Sequence, residues 1–206
     1  MVPNRLKVFY HIYQGLPWRN LMLEQIDTLY STSIMEVADL HIGITETIDP
    51  PKKAQVAINN PARGESATIK ALYDYCVDNP DAKVLYFHTK GITHPTKEQR
   101  DWRKMMEYWC IERWKLCVEQ LEAYDTVGCN FSYETWSGAY PHYSGNFWWA
   151  NADYVSKCDL TFLESHDRIM HECFIGSGNG KMLDLHSPAV DLKYTEYPRS
   201  EYEDLL

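Results

Sequence analysis

The sequence has no apolar run of the about 18 residues that a membrane-spanning helix needs, and its first residues lack the apolar core of a signal peptide. Its six cysteines include no Cys-x-x-Cys pair. Cys76, Cys110 and Cys117 fall on apolar helical patterns, where a free thiol behaves as a small hydrophobic group. We therefore expect a cytoplasmic protein that neither spans a membrane nor is secreted.

Positive charge is scarce, with 20 Lys and Arg against 29 Asp and Glu and a net charge of −9. Because surfaces that bind nucleic acid are basic, this balance argues against a nucleic-acid partner. A locally basic pocket for one small anion is compatible with it. The zinc-finger, HExxH, GxSxG, Walker A and GxGxxG motifs are also missing. Aromatic residues are abundant at 14%, and their rings suit both sugar stacking and core packing.

Strand and helix patterns alternate along the chain. The predicted strands are 7–13, 38–45, 54–59, 83–88, 125–131, 143–149 and 152–155. The predicted helices are 20–32, 65–77 and 99–124, with shorter ones around Phe162 and at 169–174. Such alternation is typical of a mostly parallel sheet covered on both faces. We predict one α/β domain over residues 1–206, with a loose acidic tail at 194–206.

Two polar segments follow predicted strands, where ligands bind in an open α/β sheet. They are His11, Ile12, Tyr13 and Gln14 after the first strand, and His88, Thr89, Lys90 and Gly91 after the most apolar one. A hydroxyl, a cation and a permissive glycine suit a diphosphate, which needs donors, positive charge and close backbone approach. The alternative for the second segment is a solvated loop with incidental polar residues.

A second cluster places small polar residues just before two adjacent tryptophans. It comprises Ser144, Gly145, Asn146, Trp148 and Trp149. These residues could bind a sugar by hydrogen bonds and ring stacking, or they form a buried strand with a bulge at Gly145. Because alternate residues of a strand face opposite sides, we expect at most one of the two rings to face a ligand.

A third cluster joins an arginine and a carboxylate on one helix face. Arg168 and Glu172 stand at i and i+4, so they either pair as ions or leave Glu172 to act as a general base. Asp167 is the second candidate for that base. Metal motifs are weak, because Asp184 and His186 are only two potential ligands with no third one at a suitable spacing.

The order of motifs is more specific than any one of them. YFHTKG, a Trp-rich helix with DWRKMM, YDTVGCNF, HYSGNFWWANADYV and RIMHECFIG follow one another between residues 7 and 187. This series resembles small glycosyltransferase-A-fold proteins of bacterial polysaccharide clusters and large DNA viruses, including the chlorovirus glycosyltransferases that decorate capsid protein. HTKG combined with SGNFWWA carries the resemblance, since either motif alone is weak.

The resemblance implies a mixed, mostly parallel sheet flanked by helices, with a nucleotide-binding half at 1–95 and an acceptor and catalytic half at 96–193. It implies a nucleotide-sugar donor, with UDP favoured, and a glycan or glycoprotein acceptor. A viral member would act in the host cytoplasm. The donor-binding residues would be His11, Ile12, Tyr13, Gln14, Glu65, His88, Thr89, Lys90 and Gly91. The sugar or acceptor contacts would be Ser144, Gly145, Asn146, Trp148 and Arg168.

In the same picture Glu172, or else Asp167, deprotonates the acceptor hydroxyl in an inverting displacement. HTKG stands where most members of the wider fold carry an Asp-x-Asp that binds Mn2+ or Mg2+, and this sequence has no Asp-x-Asp. Either Lys90, helped by His88, Arg100 or Arg103, neutralises the diphosphate, or a divalent metal binds through donor phosphates and a weak ligand such as His88 or His186.

Two other functions stay open at this stage. A non-catalytic carbohydrate- or nucleotide-binding module fits the abundant aromatics and the missing Asp-x-Asp. A metal-dependent hydrolase would use some of the eight histidines, although these are dispersed along the chain.

Overall fold

The fold is described from a computed structural model, over residues 5–15, 17–46, 48–49, 51, 54–58, 64–135 and 138–203. Strands in these residues are Leu6–His11 (β1), Ala38–Ile44 (β2), Ala54–Ile58 (β3), Lys83–His88 (β4), Thr126–Gly128 (β5), Phe131–Thr135 (β6), Gly138–Tyr143 (β7), Trp148–Asn151 (β8) and Met182–Asp184 (β9). Helices are Trp18–Ser31 (α1), Ile34–Val37 (α2), Ser66–Asp78 (α3), Lys97–Glu107 (α4), Trp114–Gln120 (α5), Ala152–Val155 (α6), Thr161–Glu164 (α7) and Arg168–Cys173 (α8).

Seven strands form a central sheet in the order β3-β2-β1-β4-β8-β5-β9. The strands β1 to β4 are parallel, β8 is antiparallel to both of its neighbours, and β5 and β9 are parallel to each other. After β1 the chain adds β2 and β3 on one side, and then places β4 on the other side of β1. The order therefore reverses between β1 and β4, the position where open α/β sheets bind ligands. The predicted mixed, mostly parallel sheet is confirmed.

Helices cover both faces of the sheet, which explains the unbroken apolar runs of β1 and β4. On one face Val8 and Tyr10 pack with side chains of α1, α4 and α5. On the other face Phe9 and Tyr86 pack with α3, α6 and residues that follow α8. All six cysteines are buried and free, in agreement with their predicted role as small hydrophobic groups.

The predicted helix at 99–124 is divided by a wider turn. Tyr108–Glu112 is π-helical, and the amide of Arg113 donates to the carbonyl of Tyr108 five residues earlier, at 3.0 Å. Such π turns are mostly single wider turns inside an α-helix. Sequence periodicity therefore predicted the helical stretch but not its interruption.

Three predictions in the second half of the chain need correction. Residues 152–155 are the helix α6, because a four-residue apolar pattern cannot separate helix from strand. The predicted strand 125–131 ends early, since Asn130 has a φ of +58° and turns the chain into the hairpin β6–β7. The predicted strand 143–149 is interrupted by a turn before Trp148, where β8 begins.

The end of the described chain is packed against the body of the protein, so the prediction of a loose tail is wrong. Tyr202 is 1% exposed and its ring lies 5.3 Å from Tyr108 and 5.8 Å from Tyr197. The hydroxyl of Tyr108 donates to the carbonyl of Glu203 at 2.7 Å. One aromatic anchor thus outweighs the acidic composition of the segment.

Replacement of this anchor tests the packing of the tail. We expect Tyr202→Ala to lower the free energy of unfolding by about 3 kcal/mol, because it removes a fully buried ring. Tyr194→Ala, at a position 71% exposed in the same segment, should change it by less than about 0.5 kcal/mol. Urea denaturation of the two variants measures the difference. Equal effects would contradict the packed arrangement.

Candidate functional site

A cleft of about 720 Å³ opens at the carboxyl ends of β1 and β4. His11 and His88 end these two strands and are partners in the parallel register. Both side chains face the α3 side of the sheet, because Phe9 and Tyr86, two residues earlier, lie in the core of that face. The cleft also contains the predicted residues Tyr13, Glu65 and Arg168.

The rest of the cleft wall was not predicted. It comes from Gly64 and Ser66 at the start of α3, and from Leu163, Glu164, Ser165, His166 and His171 in and around α7 and α8. These short helices are distant in sequence from the strand ends. Only the packing of α7 and α8 beside α3 brings them to the cleft, and no motif in the sequence signals that packing.

The carboxylate of Glu65 is held at the base of the cleft. Its Oε2 accepts hydrogen bonds from the Tyr86 hydroxyl at 3.0 Å and from Asn146 Nδ2 at 3.1 Å. The indole of Trp148 donates in turn to Asn146 Oδ1 at 2.7 Å. Because a buried polar group is destabilising without partners, this series of hydrogen bonds fixes the carboxylate of Glu65 in one orientation.

The two strand-end histidines are neutral at pH 7. Burial lowers the pKa of His11 to about 4, against a partial opposing effect of Glu65. Burial, helped by the ammonium of Lys90, lowers the pKa of His88 to about 4 as well. His88 Nε2 lies 3.0 Å from the carbonyl of Gly145. Since a carbonyl only accepts, Nε2 carries the hydrogen, and Nδ1 keeps its lone pair.

Arg168 brings an exposed guanidinium to the cleft. Among the described residues it forms no ion pair, so the alternative of a pair with Glu172 is not what the structure has. Its charge contributes to the lowered pKa of both His11 and His88. His171 is 7% exposed beside it, and its buried Nδ1 has no hydrogen-bond partner within the part of the chain described. The guanidinium is thus a cation without an ion pair in the described residues, in a cleft that Glu65 and Glu164 also line.

Glu172 does not itself line the cleft, and its carboxylate is held by the backbone of Gly145. Its Oε2 accepts the Gly145 N–H at 2.9 Å. Gly145 has a φ of +99°, and a Cβ there would lie 2.5 Å from Met106 Sδ. Glycine is therefore required at this position on two grounds. His88 Nε2 donates to the carbonyl of the same glycine at 3.0 Å, so Glu172 and the cleft histidine share one backbone partner.

Some residues predicted to touch a ligand are interior residues. Trp148 is fully buried and stacks on Tyr86 at 5.3 Å, so its predicted role in sugar stacking is wrong. Trp148 and Trp149 lie in the cores of opposite faces, both of which are covered. Asn146 and Ile12 are also fully buried, and Asn146 acts on the cleft only through Glu65.

Lys90 and Arg103 have partners outside the residues that line the cleft. Lys90 Nζ lies 3.9 Å from the ring centroid of Trp102. Arg103 is buried beside Glu107, with Nε 3.2 Å from Oε1. Neither residue lines the cleft in which the histidines lie.

The remaining predicted residues have mainly structural contacts. Thr89 Oγ1 accepts the amide of Tyr13 at 2.9 Å and so ties together the segments after β1 and β4. Gln14 Oε1 accepts the amide of Thr45 at 3.0 Å. Gly91, at φ +79°, allows the turn that follows β4. Ser144 is half-buried next to Gly145. Asp167 accepts the amide of Ile169 at 3.2 Å and thereby caps α8.

The predicted divalent metal lacks a protein site in the described ranges. No three His, Cys, Asp or Glu side chains in them are grouped as metal ligands would be. The Nε2 of His88 is hydrogen-bonded to Gly145, and that of His186 lies 3.0 Å from the hydroxyl of Tyr197. His186 also stacks on Trp109 and does not line the cleft. Within the described residues, the Nε2 atoms of both histidines are therefore already engaged by other groups.

A comparison with protein-family models identifies the relatives of this chain. The model described as "Domain of unknown function (DUF8361)" matches residues 4–190. The chain belongs to the DUF8361 family. Every residue that lines the cleft, from His11 to His171, lies inside the matched range. No curated protein matches the chain. None of the helices described here has the length and apolar content needed to cross a membrane.

The neutral histidines predict that acid destabilises this DUF8361 protein. Between pH 6.5 and about 4 the unfolded chain binds protons at His11 and His88 that the folded chain excludes. Stability is therefore complete above pH 6.5 and falls as the pH drops toward 4, by at most about 3 kcal/mol for each imidazole. Urea denaturation at a series of pH values measures this slope.

Two substitutions separate this effect from general acid denaturation. His11→Gln should reduce the dependence of stability on pH between 6.5 and 4, because it removes one of the described histidines whose pKa is lowered by burial, which also include His88, His41 and His186. His94→Gln, at an exposed position outside the cleft, should leave it unchanged. The same pH dependence in both variants would contradict the assignment.

Proposed function

We propose that the chain is a glycosyltransferase that moves a sugar from a nucleotide-sugar donor, with UDP favoured, to a glycan or glycoprotein acceptor. The observation that carries the proposal is the cleft at the reversal of strand order. His11, from the segment after the first strand, and His88, from HTKG, both line this cleft. The two histidines are neighbours in the register of the sheet. Ligands of open α/β sheets bind at such a position.

The cleft matches the chemistry of the donor. Its volume of about 720 Å³ is in the range of small-molecule and cofactor sites. A nucleoside diphosphate needs positive charge, and Arg168 supplies an exposed guanidinium that no described carboxylate neutralises. Guanidinium groups bind phosphate oxygens through two parallel hydrogen bonds. We assign the diphosphate to Arg168 in place of Lys90 and Arg103.

Glu172 is the proposed base for the acceptor hydroxyl. Its carboxylate is oriented by the N–H of Gly145, and the carbonyl of Gly145 accepts a hydrogen bond from the cleft residue His88. Glu172 is half-buried, so an acceptor can reach it. In the proposed step the acceptor oxygen gives its proton to Glu172 and attacks the anomeric carbon. The bond from that carbon to the nucleoside diphosphate breaks, and the diphosphate takes the electron pair.

Nucleotide binding tests the donor site. UDP at about a hundredfold excess over its Kd should stabilise the protein by about 2.7 kcal/mol and raise the Tm by on the order of 5 °C. Arg168→Gln should remove most of this shift and leave any shift by uridine unchanged, because only the diphosphate meets the guanidinium. The exposed Arg100 does not line the cleft, so Arg100→Gln is the matched control. GDP and CMP, each with and without Mn2+, complete the series.

The outcomes of that series separate the possible functions. A shift with one diphosphate alone supports the transferase, and the Mn2+ arm reports whether metal contributes. Absence of a shift with every nucleotide would overturn the donor-site assignment. Binding of UDP with no release of UDP from any UDP-sugar would favour the non-catalytic binding module.

The rate of turnover tests whether Glu172 is the base. Glu172→Gln should lower the rate of UDP release from UDP-sugars by at least about 100-fold, since the amide cannot accept the proton. The UDP-induced rise in Tm should be retained. Asp167→Asn is the control, because asparagine also caps a helix and should preserve both α8 and turnover. Loss of activity in Asp167→Asn and not in Glu172→Gln would exchange the roles of the two carboxylates.

A further inference from the structure

Gly145 uses both of its backbone polar groups to join two functional side chains. Its carbonyl accepts a hydrogen bond from His88 Nε2 at 3.0 Å, and its N–H donates to Glu172 Oε2 at 2.9 Å. His88 lies at the end of a central strand, whereas Glu172 lies on α8. The glycine thus links the two side chains through hydrogen bonds.

The histidine side of this link is rigid. His88 is 6% exposed, and its ring lies 5.6 Å from the Phe147 ring. Its backbone is paired with His11 in the sheet, and its carbonyl is 3.3 Å from Gln25 Nε2 on the opposite face. The Nε2–H of His88 is therefore held at a fixed position at the carboxyl end of β4.

The glycine side is intrinsically mobile and is held by its neighbours. A glycine has no Cβ and reaches many φ values, so the turn at 144–147 needs fixed points to keep the N–H aimed at the carboxylate. The carbonyl contact with His88 is one of them. A second is the amide of Asn146, which donates to the carbonyl of Tyr143 at 2.8 Å.

We propose that His88 is a positioning residue, which holds the backbone of Gly145 so that the Gly145 N–H orients the carboxylate of Glu172. The role is carried by the Nε2–H of the imidazole, which is donated to the backbone carbonyl of Gly145. The inference rests on the proposed function only for the statement that Glu172 is the base. The hydrogen-bonded link itself is independent of any reaction.

Two substitutions of His88 distinguish this role from a general structural one. In His88→Gln the side-chain amide can place a donor where Nε2 stands. In His88→Asn the amide is one carbon shorter and cannot reach the Gly145 carbonyl. Both residues are polar and do not titrate, so the difference between them reports the hydrogen bond.

A spectroscopic measurement tests the link without any substrate. Samples that carry carbonyl-¹³C serine and ¹⁵N glycine select the amides of the three Ser–Gly pairs, at Gly138, Gly145 and Gly178. Glu172→Gln identifies the Gly145 signal, because it changes the acceptor of that amide. We expect His88→Asn to shift the Gly145 signal and speed its hydrogen exchange, and His88→Gln to restore both. The Gly138 and Gly178 signals are internal controls for the fold.

The reciprocal measurement avoids any dependence on the stability of the His88 variants. In Glu172→Gln the ¹⁵N signals of the His88 imidazole should move, whereas in Asp167→Asn they should stay in place. Unchanged imidazole signals in Glu172→Gln, or an unchanged Gly145 amide in folded His88→Asn, would overturn the proposal.

Kinetics connects the link to catalysis. With UDP-glucose, or whichever UDP-sugar releases UDP fastest, His88→Asn should lower kcat by about 100-fold with little change in KM, because the base is misplaced while the donor still binds. His88→Gln should recover most of kcat. A rise in KM of both variants with kcat unchanged would make His88 a donor contact and overturn its positioning role.

The two proposals can fail separately. If Gly145 responds to His88 as expected but Glu172→Gln leaves UDP release unchanged, the link stands and the assignment of the base fails. If Glu172→Gln abolishes UDP release but His88→Asn alters neither Gly145 nor kcat, the base stands and the positioning role fails.

Discussion

The parallel pairing of β1 with β4 is the constraint on which the rest of the site depends. Both strands are buried along their whole length, so a shift of register by one residue would turn every core side chain to the opposite face. The observed register sets His11 beside His88. It also directs both imidazoles to the side on which α3, α7 and α8 supply the remaining wall of the cleft.

The end of β4 is held from the opposite face by a buried polar network. Gln25 Nε2 donates to Glu107 Oε1 at 2.8 Å and is 3.3 Å from the His88 carbonyl. Glu107 is fully buried, and Arg103 and Lys104 lie within 3.2 Å of its carboxylate oxygens. Because a buried carboxylate is strongly destabilising without partners, this network is an all-or-none arrangement. The cations of α4 thereby support the site without entering it.

The same physics explains which predicted site residues were found in the cleft. The rule that ligands bind at the carboxyl ends of strands depends only on element order, and it correctly selected His11 and His88. Glu65 came from the family resemblance, Arg168 was first singled out by its i, i+4 spacing with Glu172, and both line the cleft. The prediction that Trp148 contacts a ligand was wrong, because the sequence of a strand does not show whether the face that carries a tryptophan is open or covered by helices. His166 and His171 were missed as lining residues, since α7 and α8 have no periodic pattern long enough to predict their packing.

The sequence by itself determined the alternation of strands and helices, the mixed α/β class and the two strand ends that carry polar residues, because these follow from local propensity and hydrophobic period. Only the tertiary structure decided how these ends are used. It brought α8 to the cleft, left Arg168 without an ion pair in the described residues, paired Lys90 with Trp102, and joined His88 to Glu172 through Gly145. These outcomes depend on contacts between residues far apart in the chain, and local propensity and hydrophobic period do not predict such contacts.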